Sequence, residues 1–363
     1  MTIAIDCRAL GSSGIGVYLQ GCLPCFPALK HNFLLFGNTN KIKKVLCNTD
    51  TSANTDTSKI EIIECTVKVF SPRELFFFPK SILKKINAAD IFYSPFFNIP
   101  GGIKIPVYTT IHDVIFPDMP ELTNKTGLAL RMFFFKRAVK RSKKIFTVSK
   151  YSASRIKHYF GDKVPVVVTY AAIQEQLLEF DHSGIQKENI IMFIGNIKKH
   201  KGLGCLLEAF FTARNEGLDY KLVIAGEKNN FRTKDKNILR IFKKNSASNE
   251  SALEFLGAIS DDELRLLLCK ASLLVQPSLY EGFCAPPLEA LVCGTKVLLS
   301  DIPVLREIYA DFPVNFFKAG SPSDLKEKLV SILKDENRTV SLPETLRLKY
   351  TFKKVTEIIA GAL

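Results

Sequence analysis

At 363 residues the chain exceeds the length at which a single hydrophobic core stops growing, so two domains are expected. An apolar fraction of 47% fits a globular protein. A mean hydropathy of +0.09, with no apolar run near the ~18 residues a spanning helix needs, excludes an integral helical membrane protein. The net charge of +14 is uneven. Residues 1–180 hold 24 Lys and Arg against 13 Asp and Glu, while residues 181–363 hold 26 against 23. A positive field of that kind suits an anionic membrane surface or a nucleic acid. The opening MTIAIDCRAL lacks the basic lead and long apolar core of a secretory signal, so a cytoplasmic location is expected. Nine scattered cysteines include one C-x-x-C, Cys22 to Cys25, which is half a zinc site with no second pair.

Thr2 to Asp6 reads as a short apolar strand. Arg8 and a glycine-rich stretch containing Gly11, Gly14 and Gly16 follow, with an apolar helical run from Val17. Strand, glycine turn and helix form either a plain tight turn or a cradle for phosphates. The dinucleotide fingerprint is not met, because Leu19 holds its third glycine position. Asn32 to Phe36 and Ile60 to Val69 read as strands, with Thr39 to Ser58 between them as an exposed polar excursion. Phe76, Phe77 and Phe78 beside Lys80, Lys84 and Lys85 read either as a helix packed on the core or as a contact with lipid headgroups. Ile91 to Ser94 and Val107 to Ile111 are further buried strands, the second ending in His112 and Asp113. Lys125 to Lys144 is helical by period, with Leu128, Met132, Phe135 and Val139 on one stripe and cations on the rest. That charge run is either a solvated face or a surface for membrane or acceptor. Ile145 to Val148 and Val164 to Thr169 are strands around a helix capped by Ser149.

Ala171 to Glu188 lacks a pattern and reads as a linker. A second strand–helix series starts at Asn189. Its first strand ends in a cation-rich loop from Gly195 to Gly202 that includes Asn196, Lys198, Lys199 and Lys201. Tyr220 to Ala225 is the next strand, with Gly226, Glu227 and Lys228 as its loop. Leu253 to Leu256 follows, leading into Gly257, Ala258 and Ile259, with Ser260 and Asp261 capping a helix. Leu273 to Gln276 is a strand buried on both faces. Tyr280 to Cys284 is a turn, and Pro286-Pro287 opens a helix. Glu281 thus sits above the strand's carboxyl end and Glu289 in the helix's first turns, a crevice where open α/β sheets bind ligands. Each carboxylate can accept hydrogen bonds from the adjacent hydroxyls of a sugar or ribose. Lys296 to Leu299 and Leu325 to Leu333 read as a strand and a helix, and a last helix runs from about Pro343.

Glu281-Gly282-Phe283, Pro286, Glu289-Ala290 and Gly294 resemble the E-x7-E signature of retaining glycosyltransferases of family 4. The resemblance implies the GT-B fold: two doubly wound Rossmann-like α/β domains with an interdomain cleft. It implies that Glu281 faces the donor sugar and Glu289 binds the nucleotide ribose. The usual E-G-F-G-L-P becomes E-G-F-C-A-P here. Cys284 would still offer its backbone N–H to a phosphate, with its side chain turned away and the donor pocket reshaped. Lys201 matches the family's diphosphate lysine, whereas Asn196 stands where an arginine is usual, leaving Lys198 or Lys199 as point charges in its place. His112 matches the active-site histidine near the donor sugar, with Asp113 orienting the ring. Gly14 and Gly16, with Asp6, Arg8, Leu10 and Tyr18, resemble a mannosyltransferase-like branch in which the glycine loop closes over the donor. Gly257 and Ile259 match the seat of the base, and the amides of Phe283 and Cys284 complete the phosphate site.

The expected organisation is an acceptor-side domain over residues 1–172, a linker over 173–188, and a nucleotide-sugar domain over 189–343. A helix over about 344–363 would cross back to the first domain. The implied activity is retaining transfer of a hexose, first of all mannose from GDP-mannose. The acceptor would be a glycan or lipid-linked molecule in cell-surface polysaccharide synthesis. No D-x-D pair or histidine cluster suggests a metal, and no cofactor is expected. The basic first half suggests a peripheral position at an anionic inner membrane face. Two other classes are weighed. A nucleotide-sugar epimerase of the same fold is disfavoured by the E-x7-E. A nucleic-acid-binding protein fits the charge but has no ribonucleoprotein or zinc-finger motif.

Overall fold

The computed structural model describes residues 1–11, 13–47, 59–180, 182, 184–226, 252–257 and 259–363. Ser12, Glu227, Lys228 and Ala258, and the 48–58 part of the expected polar excursion, lie outside that set. The chain forms two compact units. The first is Met1–Gln174 with Tyr350–Leu363, and the second is Glu175–Lys349.

The first unit is built on a seven-stranded parallel sheet in the order β3-β2-β1-β4-β5-β6-β7. Its strands are β1 (Thr2–Asp6), β2 (Asn32–Gly37), β3 (Ile60–Glu64), β4 (Ile91–Ser94), β5 (Val107–Thr110), β6 (Ser142–Thr147) and β7 (Val166–Val168). The central strands are buried on both faces, which explains their unbroken apolar runs. The chain order reverses between β1 and β4, the topological switch point of such a sheet.

The second unit repeats the plan with six parallel strands in the order β10-β9-β8-β11-β12-β13. They are β8 (Glu188–Ile194), β9 (Lys221–Ala225), β10 (Leu253–Gly257), β11 (Ala271–Gln276), β12 (Lys296–Ser300) and β13 (Asn315–Phe317). Its switch point lies between β8 and β11, paired in parallel through Leu273–Ile191 and Leu274–Met192. The helix Leu203–Asn215 packs Leu206, Leu207 and Phe210 onto one core with Phe193, Leu222 and Val275. The two α/β series read from the sequence are therefore both present.

Four local expectations are corrected. Thr39 to Cys47 is a helix, not an excursion: Ile42 is fully buried, and the Thr39 N–H is held by Glu64 Oε2 at 2.8 Å. The basic helix ends at Arg141, so Lys143 and Lys144 lie on β6. A short helix, Glu175–Leu178, interrupts the stretch read as linker. The last helix is two, Glu344–Arg347 and Phe352–Ala362, because Thr351 starts a new one by accepting from Lys354 N–H. The second of these belongs to the first unit. There Lys144 Nζ donates to Ala362 O at 2.6 Å, and Tyr108 Oη donates to Leu363 O at 3.0 Å.

Candidate active site

The switch point of the second sheet brings two loops together. The loop after β8 ends in a 3-10 turn, Lys199–Lys201, and the loop after β11 carries Ser278 and Glu281. Two close approaches lock them. The backbone N–H of Leu279 donates to His200 O at 2.7 Å. Gly202 adopts φ 69° with its α-carbon over β11's end, so a Cβ there would stand 1.9 Å from Pro277 O. Only glycine satisfies both the left-handed backbone and that contact.

This lock sets the charges. Lys201 Nζ donates to both Glu281 oxygens, at 2.7 and 2.9 Å, and Ser278 Oγ donates to Oε1 at 2.7 Å. Glu281 is 8% exposed. A carboxylate so enclosed has its orientation fixed, and its charge is compensated by a cation 80 positions away in the chain. Nearby, His200 is pushed down to about 4 by burial and then by the charge of Lys201, so it is neutral at physiological pH. His200 Nδ1 and Gln276 Oε1 are buried with no hydrogen-bond partner among the described residues. Orphaned polar atoms at the carboxyl end of a strand offer hydrogen-bonding capacity to a polar ligand.

The next turn holds the other candidates. Phe283 and Cys284 are buried, and Cys284 has φ 74°, a region that disfavours any side chain. The usual glycine at this place would be unstrained. The Cys284 carbonyl accepts from Tyr309 Oη, which pins the strained residue. Burial pushes the Cys284 thiol up, and the Glu281 charge adds to the rise. The helix Pro286–Val292 follows with Glu289 in its first turn. Burial and then the charge of Asp261 raise Glu289 from 4.5 to about 7. Asp261 opens the helix that follows Gly257 and Ile259, capped by Ser260 through a box with Glu263. Gly257 is buried at φ 72° and accepts from Gly226 N–H at 2.9 Å, while Ile259 is half-buried. Asn196 is half-buried, its carbonyl accepting from Lys198 N–H at 2.9 Å.

Gly14, Gly16 and His112 are in the first unit. Gly14 and Gly16 lie inside the first turns of the helix Ser13–Cys22 rather than in a turn before it. Gly14 is exposed and Gly16 is buried. Tyr18 of that helix packs edge-on to His112, ring centroids 4.8 Å apart. His112 Nε2 meets Pro95 O at 2.8 Å, and Asp113 Oδ1 accepts from Ile115 N–H at 3.0 Å. The ring is thus held by Pro95 and packed against Tyr18. Burial lowers His112 to about 4, leaving it neutral. Sequence reasoning missed Ser278, His200, Gln276 and Tyr309. A Ser three residues before Glu281 was legible as a neighbour, but nothing in spacing reveals the other contacts.

Residues 175–349 match the family of glycosyl transferases group 1, the same span as the second unit. The second unit is thus similar to the group 1 glycosyl transferases, over just under half of the chain. An uncharacterised glycosyltransferase of Methanocaldococcus jannaschii is 28% identical over 58% of this chain and 56% of its own. The O-antigen chain mannosyltransferase B of Escherichia coli is 26% identical over 61% and 59%. The chain thus spans little more than half the length of these relatives. Sucrose-phosphate synthase from Thermosynechococcus elongatus superposes over 100% of this chain and 98% of its own at 13% identity, with a TM-score of 0.73. Anabaena HepE, solved with UDP and glucose, superposes over 100% and 99% at 14% identity, with a TM-score of 0.70. The two doubly wound parallel sheets are the GT-B fold. Among the described residues no helix is long and apolar enough to cross a membrane.

Proposed function

We propose that the protein is a retaining glycosyltransferase that moves a hexose from a nucleotide-diphosphate sugar to a glycan or lipid-linked acceptor in cell-surface polysaccharide synthesis. The observation that carries this reading is the Lys201–Glu281–Ser278 cluster at the switch point of the second sheet. The donor's base lies by Gly257 and Ile259, its ribose on Glu289, and its diphosphate by Lys201 and the amides of Phe283 and Cys284. Breaking the bond between the anomeric carbon and the leaving oxygen places negative charge on the diphosphate. Lys201, already fixed by Glu281, meets that charge where it develops. Glu289 at about 7 ionises in the working range and then accepts from ribose hydroxyls. Asn196 carries no charge, and Lys198 or Lys199 supplies the charge an arginine would. His112, neutral by burial, is assigned to the donor sugar.

The Escherichia coli mannosyltransferase relative supports mannose from GDP-mannose as the first donor to try, and HepE supports UDP-sugars as the second. No metal or other cofactor enters the scheme. The test is transfer and donor hydrolysis across a panel of GDP- and UDP-sugars with wild type, Glu281→Ala, Lys201→Ala and His112→Ala. A fall of two or more orders of magnitude in the first two variants is expected, and the anomeric configuration of the product decides retention. Near wild-type rates in both Glu281→Ala and Lys201→Ala with the true donor overturn the assignment.

A further inference from the structure

Dividing the chain at its two units redistributes the charge. Met1–Gln174 with Tyr350–Leu363 carries 26 Lys and Arg against 12 Asp and Glu, and Glu175–Lys349 carries 24 of each. The entire +14 therefore belongs to the first unit. Between Leu122 and Phe160 there are eleven Lys and Arg and no acidic residue.

Apolar side chains are exposed in the same place. Phe76 and Phe77 are 73% and 74% exposed, and Leu130 and Phe133 are 54% and 50% exposed. Single exposed apolar residues are ordinary, but a group of large ones on neighbouring elements marks an interaction surface. The elements are neighbours. Gly101 N–H donates to Glu74 O at 2.8 Å, Arg137 Nη1 donates to Ile99 O at 2.5 Å, and the Phe70 and Phe134 rings lie 4.8 Å apart. The helices Pro72–Phe76 and Lys125–Arg141 thus meet on either side of the 99–101 loop.

The exposure of Phe76 and Phe77 is built in. Glu74, on the short helix that carries Phe76 and leads into Phe77, is fully buried. It accepts from Arg8 Nη2 at 2.5 Å, from Asn98 Nδ2 at 2.9 Å and from Phe70 N–H at 2.5 Å. Arg8 is held in turn by Asp6. Phe78 turns inward beneath, 5% exposed. The two aromatic rings therefore stand on a base fixed by buried charge, and no inward rotation of the helix is open to them without unpairing Glu74. On the longer helix, Lys136 and Lys140 follow Phe133 at intervals of three and seven, so they share its exposed face.

We propose that the face formed by Phe76, Phe77, Leu130 and Phe133, flanked by Lys136 and Lys140, docks the first unit on an anionic lipid bilayer. Aromatic rings enter the boundary between headgroups and acyl chains, while the ammonium groups meet lipid phosphates. A protein partner fits less well, since interface centres are depleted in lysine. The proposal is independent of the transfer reaction above, and its test requires no donor.

Vesicle flotation of the full chain provides the measurement. Binding to phosphatidylcholine–phosphatidylglycerol vesicles is expected, with little to phosphatidylcholine alone. Phe76→Ser with Phe77→Ser is expected to lower partitioning about tenfold or more, with an unchanged melting temperature because both side chains are exposed. The chain has no tryptophan, so Phe77→Trp gives a single reporter. Its emission is expected to shift to the blue on anionic vesicles and to be quenched by brominated acyl chains. Flotation of the double variant at the wild-type level, or unmoved Trp emission on bound protein, overturns the proposal. Binding of single-stranded RNA that is lost in the same double variant, in the absence of vesicle binding, also overturns it by assigning the face to bases.

Discussion

The two units share a plan and differ in how they handle charge. In the second, cations and anions are equal in number, and the charged groups at the switch point close on each other, Lys201 on Glu281. In the first, the switch point also holds a charged cluster, Asp6–Arg8–Glu74, but it is sealed inside, and an unbalanced excess of cations faces solvent beside exposed aromatic rings. The same sheet topology thus serves two ends. Lys201 keeps part of its side chain exposed while its partner holds it in place, so it can meet a ligand, whereas the sealed cluster anchors structure. The difference teaches that a net charge belongs to a surface and not to a chain. The +14 says nothing about the second unit.

Paired substitutions break this comparison most sharply. Gly202→Ala puts a Cβ 1.9 Å from Pro277 O, and Gly101→Ala puts one 1.8 Å from Leu75 O. Each is expected to cost its own unit about 3 kcal/mol or more. Gly202→Ala should abolish GDP or UDP binding in calorimetry while sparing vesicle binding, and Gly101→Ala should do the reverse. Losing both functions in either variant would show that the units do not act separately. Lys201→Ala comes next, with kcat lowered about 10²- to 10³-fold. Cys284 is a smaller test. Its left-handed backbone costs on the order of 1–3 kcal/mol, so Cys284→Gly is expected to hold or raise the melting temperature, despite losing a buried thiol, while β-branched Cys284→Val lowers it.

The smallest effect is a pH slope. Because Glu289 is raised from 4.5 to about 7, the folded protein binds a proton there that the unfolded chain has released. Stability therefore falls as pH rises from 4.5 through 7, and Glu289→Gln removes that loss. The melting-temperature advantage of Glu289→Gln over wild type should widen between pH 4.5 and 7.5. A constant difference across that range would mean that Glu289 ionises normally.

Much of the fold was legible because its signals are local. Leu273 to Gln276 reads as a buried strand and Pro286-Pro287 as a helix start from a few adjacent residues, and both are found there. Ser260 reads as a cap from its place at the start of the helix, and it is the cap found there, with Asp261 the first helical residue. The helix Thr39–Cys47 was hidden because its one deeply buried residue, Ile42, sits among polar neighbours. The break at Leu348–Thr351 was hidden because capping by Thr351 competes with a continuous helical pattern.

The sequence by itself determined two α/β series, the loops at their strand ends, and the residue types offered there, since period and turn chemistry act over a few residues. Only the tertiary structure decided which of those residues meet. Lys201 reaches Glu281 because β8 and β11 become neighbours across the switch point. Cys284 carries strain because its turn closes under Tyr309. Of three consecutive phenylalanines, Phe78 goes inside and Phe76 and Phe77 stay out because Glu74 is tied to Arg8, 66 positions away. Such choices depend on the order in which strands assemble into a sheet, and no local pattern encodes that order.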